Sequence, residues 1–261
     1  MKNNLLLRSL LKININSNRI YGLDILRALA IFFVVLAHGD KLMPPERYKY
    51  IHYFVFDGVA IFFVLSGFLI GGILIKILNK KVLTFGGMLH FWKRRWFRTL
   101  PNYFLILSIL LILNLLFTPN FTILDKLQYF IFSQNLFWEH PAFFPEAWSL
   151  SIEEWFYLLI PIIIYVFIRI LKFSPKKAVL IAAIVILITV TLYRYFLHIN
   201  LDIDSYQTWD KMIRRQVFTR LDSLMYGIIG AYIYFYFRDF WKKNKMGSLF
   251  SRDLSVYNGT I

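Results

Sequence analysis

The chain has 261 residues, 58% of them hydrophobic, 19% aromatic and only 17% charged, with a mean hydropathy of +0.56. That balance lies outside the range of soluble domains, and the absence of cysteine excludes disulfides, thiolate catalysis and cysteine metal sites. A net charge of +15 invites comparison with nucleic-acid binders, but the basic residues sit on alternate loops, which argues for membrane topology and against nucleic acid.

A bilayer core of ~30 Å takes about 20 apolar residues per helix. Stretches of that kind run from 24 to 39, 53 to 78, 101 to 118, 148 to 171, 178 to 197 and 221 to 238. The sequence therefore predicts an all-α fold, a polytopic transmembrane helix bundle of about six spans. The first span contains charges and lacks a small-residue cleavage signature, so it reads as a retained helix and not a signal peptide. Lys2, Arg8, Lys12 and Arg19 precede it without an acid, and 76 to 98 holds Lys76, Lys80, Lys81, Lys93, Arg94, Arg95 and Arg98, again without one. The positive-inside rule puts both segments, and those around Arg169 to Lys177 and Arg238 to Lys245, in the cytoplasm. The expectation is a multi-pass protein of the cell membrane with both termini cytoplasmic, its lipids being its first partners.

The segment ILDKLQYFIFSQNLFW, 123 to 138, is apolar enough to enter a bilayer yet carries Asp125, Lys126, Gln128, Gln134 and Asn135. A crossing there inverts every later loop, so it is expected to be a re-entrant or interfacial helix on the outer side. After Lys245 the periodicity stops. This divides the chain into a membrane domain, 1–245, and an aperiodic tail, 246–261. The tail reads either as an ordinary polar tail or as the mark of a chain that ends early.

Charges inside spans are costly, on the order of 2.5 to 3.5 kcal/mol each at the bilayer centre, and call for individual reading. In YGLDILRALAIFFVVLAHG, Asp24 and Arg27 lie one turn apart and His38 returns to the same face, about 16 Å further along the axis. His38 is either a solvated end residue or a site residue at the outer end of a polar stripe. In GVAIFFVLSGFLIGG, Gly67 and Gly71 at a spacing of four suit close helix packing, with Ser66 beside them. The segment HFWKRRWFRTLPNYF gathers Arg94, Arg95 and Arg98 at the cytoplasmic face; they serve either to anchor on anionic lipid or to capture the phosphates of a cytosolic cofactor. WSLSIEEWFYLLIP opens the fourth span, with Ser151 and Glu154 in capping-box spacing, Glu153 unexplained by a cap, and Tyr157 one turn on. Arg220 and Asp222 begin the last span, where Gly227 and Gly230 suit packing. His52, His90, His140 and His198 read as interfacial side chains, and no spacing suggests a metal site.

Taken in order, GLDILRALAIFFVVLAHG, GVAIFFVLSGFLIGG, RRWFRTLPNYF, FSQNL, WSLSIEEWFYLLIP and RLDSLMYG resemble the acyltransferase 3 family of integral membrane O-acyltransferases. The resemblance implies an enzyme that moves an acyl group, typically acetyl, from acyl-CoA to a hydroxyl of an envelope carbohydrate or lipid-linked acceptor. Acyl-CoA is then a co-substrate, with no permanently bound cofactor. It implies catalytic roles for His38, Glu153 and Glu154 and donor binding by Arg94, Arg95 and Arg98. Asp24, Arg27, Ser66, Tyr157, Arg220 and Asp222 stand in support. Ala60 and Trp155 depart from the usual pattern, an acid and a glutamine being common there, and Asp57 offers a nearby carboxylate. The family's membrane domain ordinarily continues beyond RLDSLMYG, which raises the reading of an inactive shortened member. A transporter or flippase of an envelope precursor, with the Asp24, Arg27 and His38 stripe lining its path, is the competing reading.

Overall fold

A computed structural model describes residues 20–42, 44, 55–80 and 83–237. The expectations for the N-terminal cations, His52 and the tail 246–261 lie outside the described residues. All regular structure among the described residues is helical: α1 Tyr21–Ala37, α2 Gly58–Lys80, α3 Phe85–Phe117, α4 Ala147–Arg169, α5 Pro175–Asn200 and α6 Asp222–Tyr236. Short 3-10 turns cover Gly39–Leu42 and Leu124–Ile131, and a helical turn Tyr206–Trp209 runs on into a π-helical stretch Asp210–Arg214.

Four helices, α2 to α5, are long and apolar enough to cross a membrane. The first and last expected spans coincide with α1 and α6, which have 17 and 15 residues, fewer than the 20 or so that a full crossing takes. The segment expected to re-enter the membrane forms a 3-10 helix of eight residues, Leu124–Ile131, far too short to cross, ended by Phe132 in the left-handed region at φ 56°. It rests on α3 and α4: the Tyr103 hydroxyl donates to the Tyr129 carbonyl at 2.8 Å and the Trp155 indole to the Phe132 carbonyl at 2.9 Å.

The largest boundary difference is α3. The expected third span, 101 to 118, is only its second half, because the helix begins at Phe85, capped by Thr84, whose hydroxyl accepts from the Gly87 amide. The cations of 76 to 98 are expected in a cytoplasmic segment ahead of that span, but Met88, Phe91 and Trp92 bury an apolar stripe that carries the helix through, so RRWFR lies on a bundle helix and not at its entrance.

Helices in lipid gain little from the hydrophobic effect and pack by close approach. The pairing of α2 with α6 shows this. The two run in the same direction, and a Cβ added to Gly67 would lie 1.9 Å from the Leu224 carbonyl oxygen, one on Gly227 2.0 Å from that of Val64. A Cβ on Gly230 meets only Phe68 Cδ2 at 3.5 Å, an ordinary contact, so Gly227 makes the approach and Gly230 does not. The α1–α2 crossing is also tight, with a Cβ on Gly58 placed 2.4 Å from the Ala30 carbonyl oxygen.

Two prolines sit inside helices, Pro101 in α3 and Pro161 in α4. A helical proline leaves the carbonyl four residues back without its amide partner. For Pro161 that carbonyl belongs to Tyr157, and the Trp92 indole N–H of α3 donates to it at 2.9 Å. The lost intrahelical bond is thereby turned into a tie between helices.

Residues 83–84 and the loop 170–174 lie at one end of the bundle, and the loops at 118–146 and 201–221 meet at the other. There the Val217 amide donates to the Asn135 carbonyl at 2.9 Å, and the Asn135 side-chain amide donates to the Arg215 carbonyl at 2.6 Å and to that of Trp148 at 3.3 Å. Gln134 and Asn135 of the FSQNL segment are fully buried and pin these loops to the start of α4.

Candidate functional site

Helices α1 to α4 converge on a cavity of about 240 Å³ lined by Arg27, Ser66, Arg95, Arg98, Thr99, Glu153 and Tyr157, with Phe62, Leu65, Leu69 and Ile70 as its apolar wall. Helical phase explains the α3 contribution. Arg98, Arg95 and Thr99 fall within an arc of about 100°, whereas Arg94 lies some 40° beyond its edge. Arg94 is exposed and does not line the cavity, so the expected trio of guanidinium groups is a pair.

Glu153 is the hub. Its Oε1 accepts from the Ser66 hydroxyl at 2.8 Å and its Oε2 from the Tyr157 hydroxyl at 2.9 Å, one turn along α4. The Arg95 guanidinium sits 6.0 Å from the centre of the Tyr157 ring. Arg27 is held in place by Asp24, with Nη1 donating to Oδ1 at 3.0 Å, as the spacing suggested. The site thus joins a carboxylate with two hydroxyl donors to three guanidinium groups, all opening on one small space. Such an arrangement binds an anion or a polarised carbonyl and holds the carboxylate in a fixed orientation.

The arginines and the glutamates were expected near opposite membrane faces. The structure brings Arg95, Arg98 and Glu153 to one cavity, because α3 starts ten residues before Arg95 and carries it about 15 Å into the bundle. His38 is not part of this cavity. It is exposed just beyond the last turn of α1, some 16 Å along the axis from Arg27, and its Nδ1 lies 2.8 Å from the Val34 carbonyl oxygen. Glu153 is engaged elsewhere, its two oxygens bonded by Ser66 and Tyr157 and not by His38.

Glu154 faces elsewhere. Helix α4 begins at Ala147, four residues before Ser151, so the capping box does not form; the Ser151 hydroxyl donates to the Ala147 carbonyl at 3.0 Å and accepts from Gln134. Glu154 Oε1 accepts from the Thr99 hydroxyl at 2.8 Å, while its carboxylate lines a separate apolar cavity of about 400 Å³ with Trp96, Phe104, Phe132 and Trp155. Thr99, which lines the first cavity, thus bonds the carboxylate that lines the second, a role that nothing in the sequence signalled.

Arg220 and Asp222 belong to an ionic network at the end of the bundle near His38. Asp57 accepts from the amides of Val59 and Ala60, both at 3.1 Å, and so caps α2; it also receives Arg220 at 2.7 Å and Arg214 at 3.4 Å. Arg214 and Arg215 reach Asp210 at 2.9 and 2.6 Å, and Asp222 pairs with Arg194. An aspartate just ahead of an apolar helix is a start signal in the sequence, but its arginine partners lie more than 150 residues away and leave no local trace. Asp57→Ala is expected to destabilise the protein by about 2 kcal/mol, less than for a fully buried pair because Asp57 is partly exposed. Thermal unfolding in detergent measures it.

A sequence model of one family, described as an acyltransferase domain, matches residues 20–252. Among curated relatives, the O-acetyltransferase OatA of Staphylococcus aureus (strain NCTC 8325 / PS 47) is 30% identical over 228 residues, covering 82% of this chain and 34% of that protein. The peptidoglycan O-acetyltransferase OatA of Listeria monocytogenes serovar 1/2a is 32% identical over 171 residues, 59% of this chain and 25% of that protein. The chain spans about a third of the length of the first of these relatives. No solved structure matches it. With a family match over all of the described helices, and residues of four of the six family-like segments lining one cavity, this chain belongs to the acyltransferase 3 family.

Proposed function

We propose that the chain transfers an acyl group, acetyl in the first instance, from acyl-CoA to a hydroxyl of an envelope carbohydrate, and that it does so with six spans whose Tyr21 and Tyr236 ends face the cytoplasm. The observation that carries this reading is the shared cavity of Arg95, Arg98, Glu153, Ser66 and Tyr157. At about 240 Å³ it falls below the range of about 300 to 1,000 Å³ typical of pockets that take a whole small ligand, so it receives one end of the donor. Arg95 and Arg98 hold phosphate oxygens of the donor, with Arg27 completing the cationic wall. The names of the relatives support acetyl as the group and peptidoglycan as one acceptor of this class.

His38 acts as general base at the opposite end of α1. Its ring takes the acceptor hydroxyl proton, the oxygen attacks the thioester carbonyl carbon, the C–S bond breaks, and coenzyme A leaves as a thiol after taking that proton back. The pantetheine arm spans the distance from the arginines to His38. Ser66 and Tyr157 keep the Glu153 carboxylate facing the guanidinium groups.

The test supplies radiolabelled acetyl-CoA and envelope extract to the membrane-embedded protein. His38→Ala is expected to abolish acetyl transfer while acetyl-CoA still protects the protein from proteolysis. Arg95→Ala with Arg98→Ala loses both. Full transfer by His38→Ala removes the histidine from the mechanism, and acyl-CoA protection that is indifferent to both arginines favours a transporter.

A further inference from the structure

The loops at the His38 end enclose a second polar cavity, of about 510 Å³, between residues 139–145 and 206–215. It shares no lining residue with the arginine cavity. Its charges cancel in pairs: Lys211 Nζ meets Glu139 at 2.7 Å and Arg215 meets Asp210 at 2.6 Å. A phosphate site leaves cations unmatched, and a cation site leaves carboxylates unmatched; this cavity does neither. What it retains is hydrogen-bonding capacity. His140 is 94% buried, yet its Nε2 has no partner, and Arg215 Nε has none either. Burial, with the Arg215 charge adding to it, pushes the His140 imidazole down to about 4, so the ring is neutral at pH 7. Buried polar atoms left without partners call for an explanation, and a ligand hydroxyl supplies one. Gln207 adds an amide, and at the rim Tyr206 is 72% exposed with its ring 5.6 Å from that of Trp209, giving an aromatic platform.

We infer that this cavity binds an uncharged sugar unit of the acceptor glycan, with His140 Nε2 bonded to a sugar hydroxyl, the paired side chains of Asp210 and Arg215 offering further bonds, and Tyr206 stacking on the sugar face. Its consequence for catalysis rests on the acyltransferase reading above; binding itself does not. A separate acceptor subsite beside the His38 end explains why the donor cavity can stay small.

The test titrates a β-1,4-linked N-acetylglucosamine tetrasaccharide into the full chain in lipid nanodiscs, followed by saturation-transfer NMR, with inorganic pyrophosphate as a second probe. The wild type is expected to bind the tetrasaccharide, and pyrophosphate, which the arginine cavity can take, is expected not to displace it. Tyr206→Ala, an exposed change that leaves the fold intact, is expected to weaken binding at least 10-fold, as is His140→Ala, while Arg95→Ala leaves it unchanged. In transfer assays Tyr206→Ala raises KM for the glycan and leaves that for acetyl-CoA. Absence of tetrasaccharide binding by the wild type, its displacement by pyrophosphate, or equal binding by Tyr206→Ala overturns the inference. Tetrasaccharide binding lost in Tyr206→Ala, in a protein that transfers no acetyl group, upholds it and overturns the catalytic reading instead.

Discussion

Glu153→Gln is expected to lower acetyl transfer at least 100-fold without unfolding the protein. Glutamine matches glutamate in shape and keeps one carbonyl oxygen for Ser66 or Tyr157, but it turns an NH₂ toward the other hydroxyl and removes the negative charge that faces Arg95 and Arg98. The guanidinium groups then lack the anion that balances them inside the bundle, and the donor end loses its fixed orientation. Removing one preorganised polar group from such a site typically costs about 10² to 10³ in rate. Steady-state transfer measured beside a detergent melting curve separates catalysis from folding. A Glu153→Gln protein with more than half of wild-type transfer shows that the hub is structural only.

The second large effect concerns the fold. Gly67→Val places a branched side chain where a single added carbon already lies 1.9 Å from the Leu224 carbonyl oxygen. That atom is backbone in the first turn of α6 and cannot swing aside, so the helices must separate along the seam that carries Ser66 on one side and Asp222 on the other. A cost of about 3 kcal/mol or more, the upper end for overpacking, is expected, with loss of monodisperse protein in detergent. Gly230→Ala is the control, expected within about 0.5 kcal/mol of wild type because its added carbon meets only a movable ring at 3.5 Å. If both variants behave alike, the close approach of α2 and α6 is not what stabilises the bundle.

The sequence made some of this legible and concealed the rest for identifiable reasons. Apolar runs marked α2, α4 and α5 within a few residues, and the Gly67–Gly71 spacing marked the packing seam. The start of α3 was hidden because three arginines and Pro101 resemble a helix entrance. Only the partners buried against Phe91 and Trp92 show that the helix continues. The Asp24–Arg27 pair is local and readable; Ser66 with Glu153, separated by 87 residues, is not. Glu153 was singled out because the cap left it unexplained. That reasoning reached a residue of the cavity although the cap itself does not form, since the true helix start at Ala147 carries no side-chain signal. Thr99 was missed because one hydroxyl after an arginine pair has nothing to distinguish it.

Pro161 has a consequence of a different kind. Because it lacks an amide hydrogen, the Tyr157 carbonyl is left for the Trp92 indole, while the hydroxyl of the same tyrosine reaches Glu153. One residue therefore links an indole on α3 to the carboxylate hub through a single rigid ring. Any movement of the hub that drags Tyr157 also changes the polarity felt by the indole, and so its emission wavelength. A protein keeping Trp92 as its sole tryptophan carries a built-in optical readout of events in the cavity, installed by an imino acid one turn further along α4.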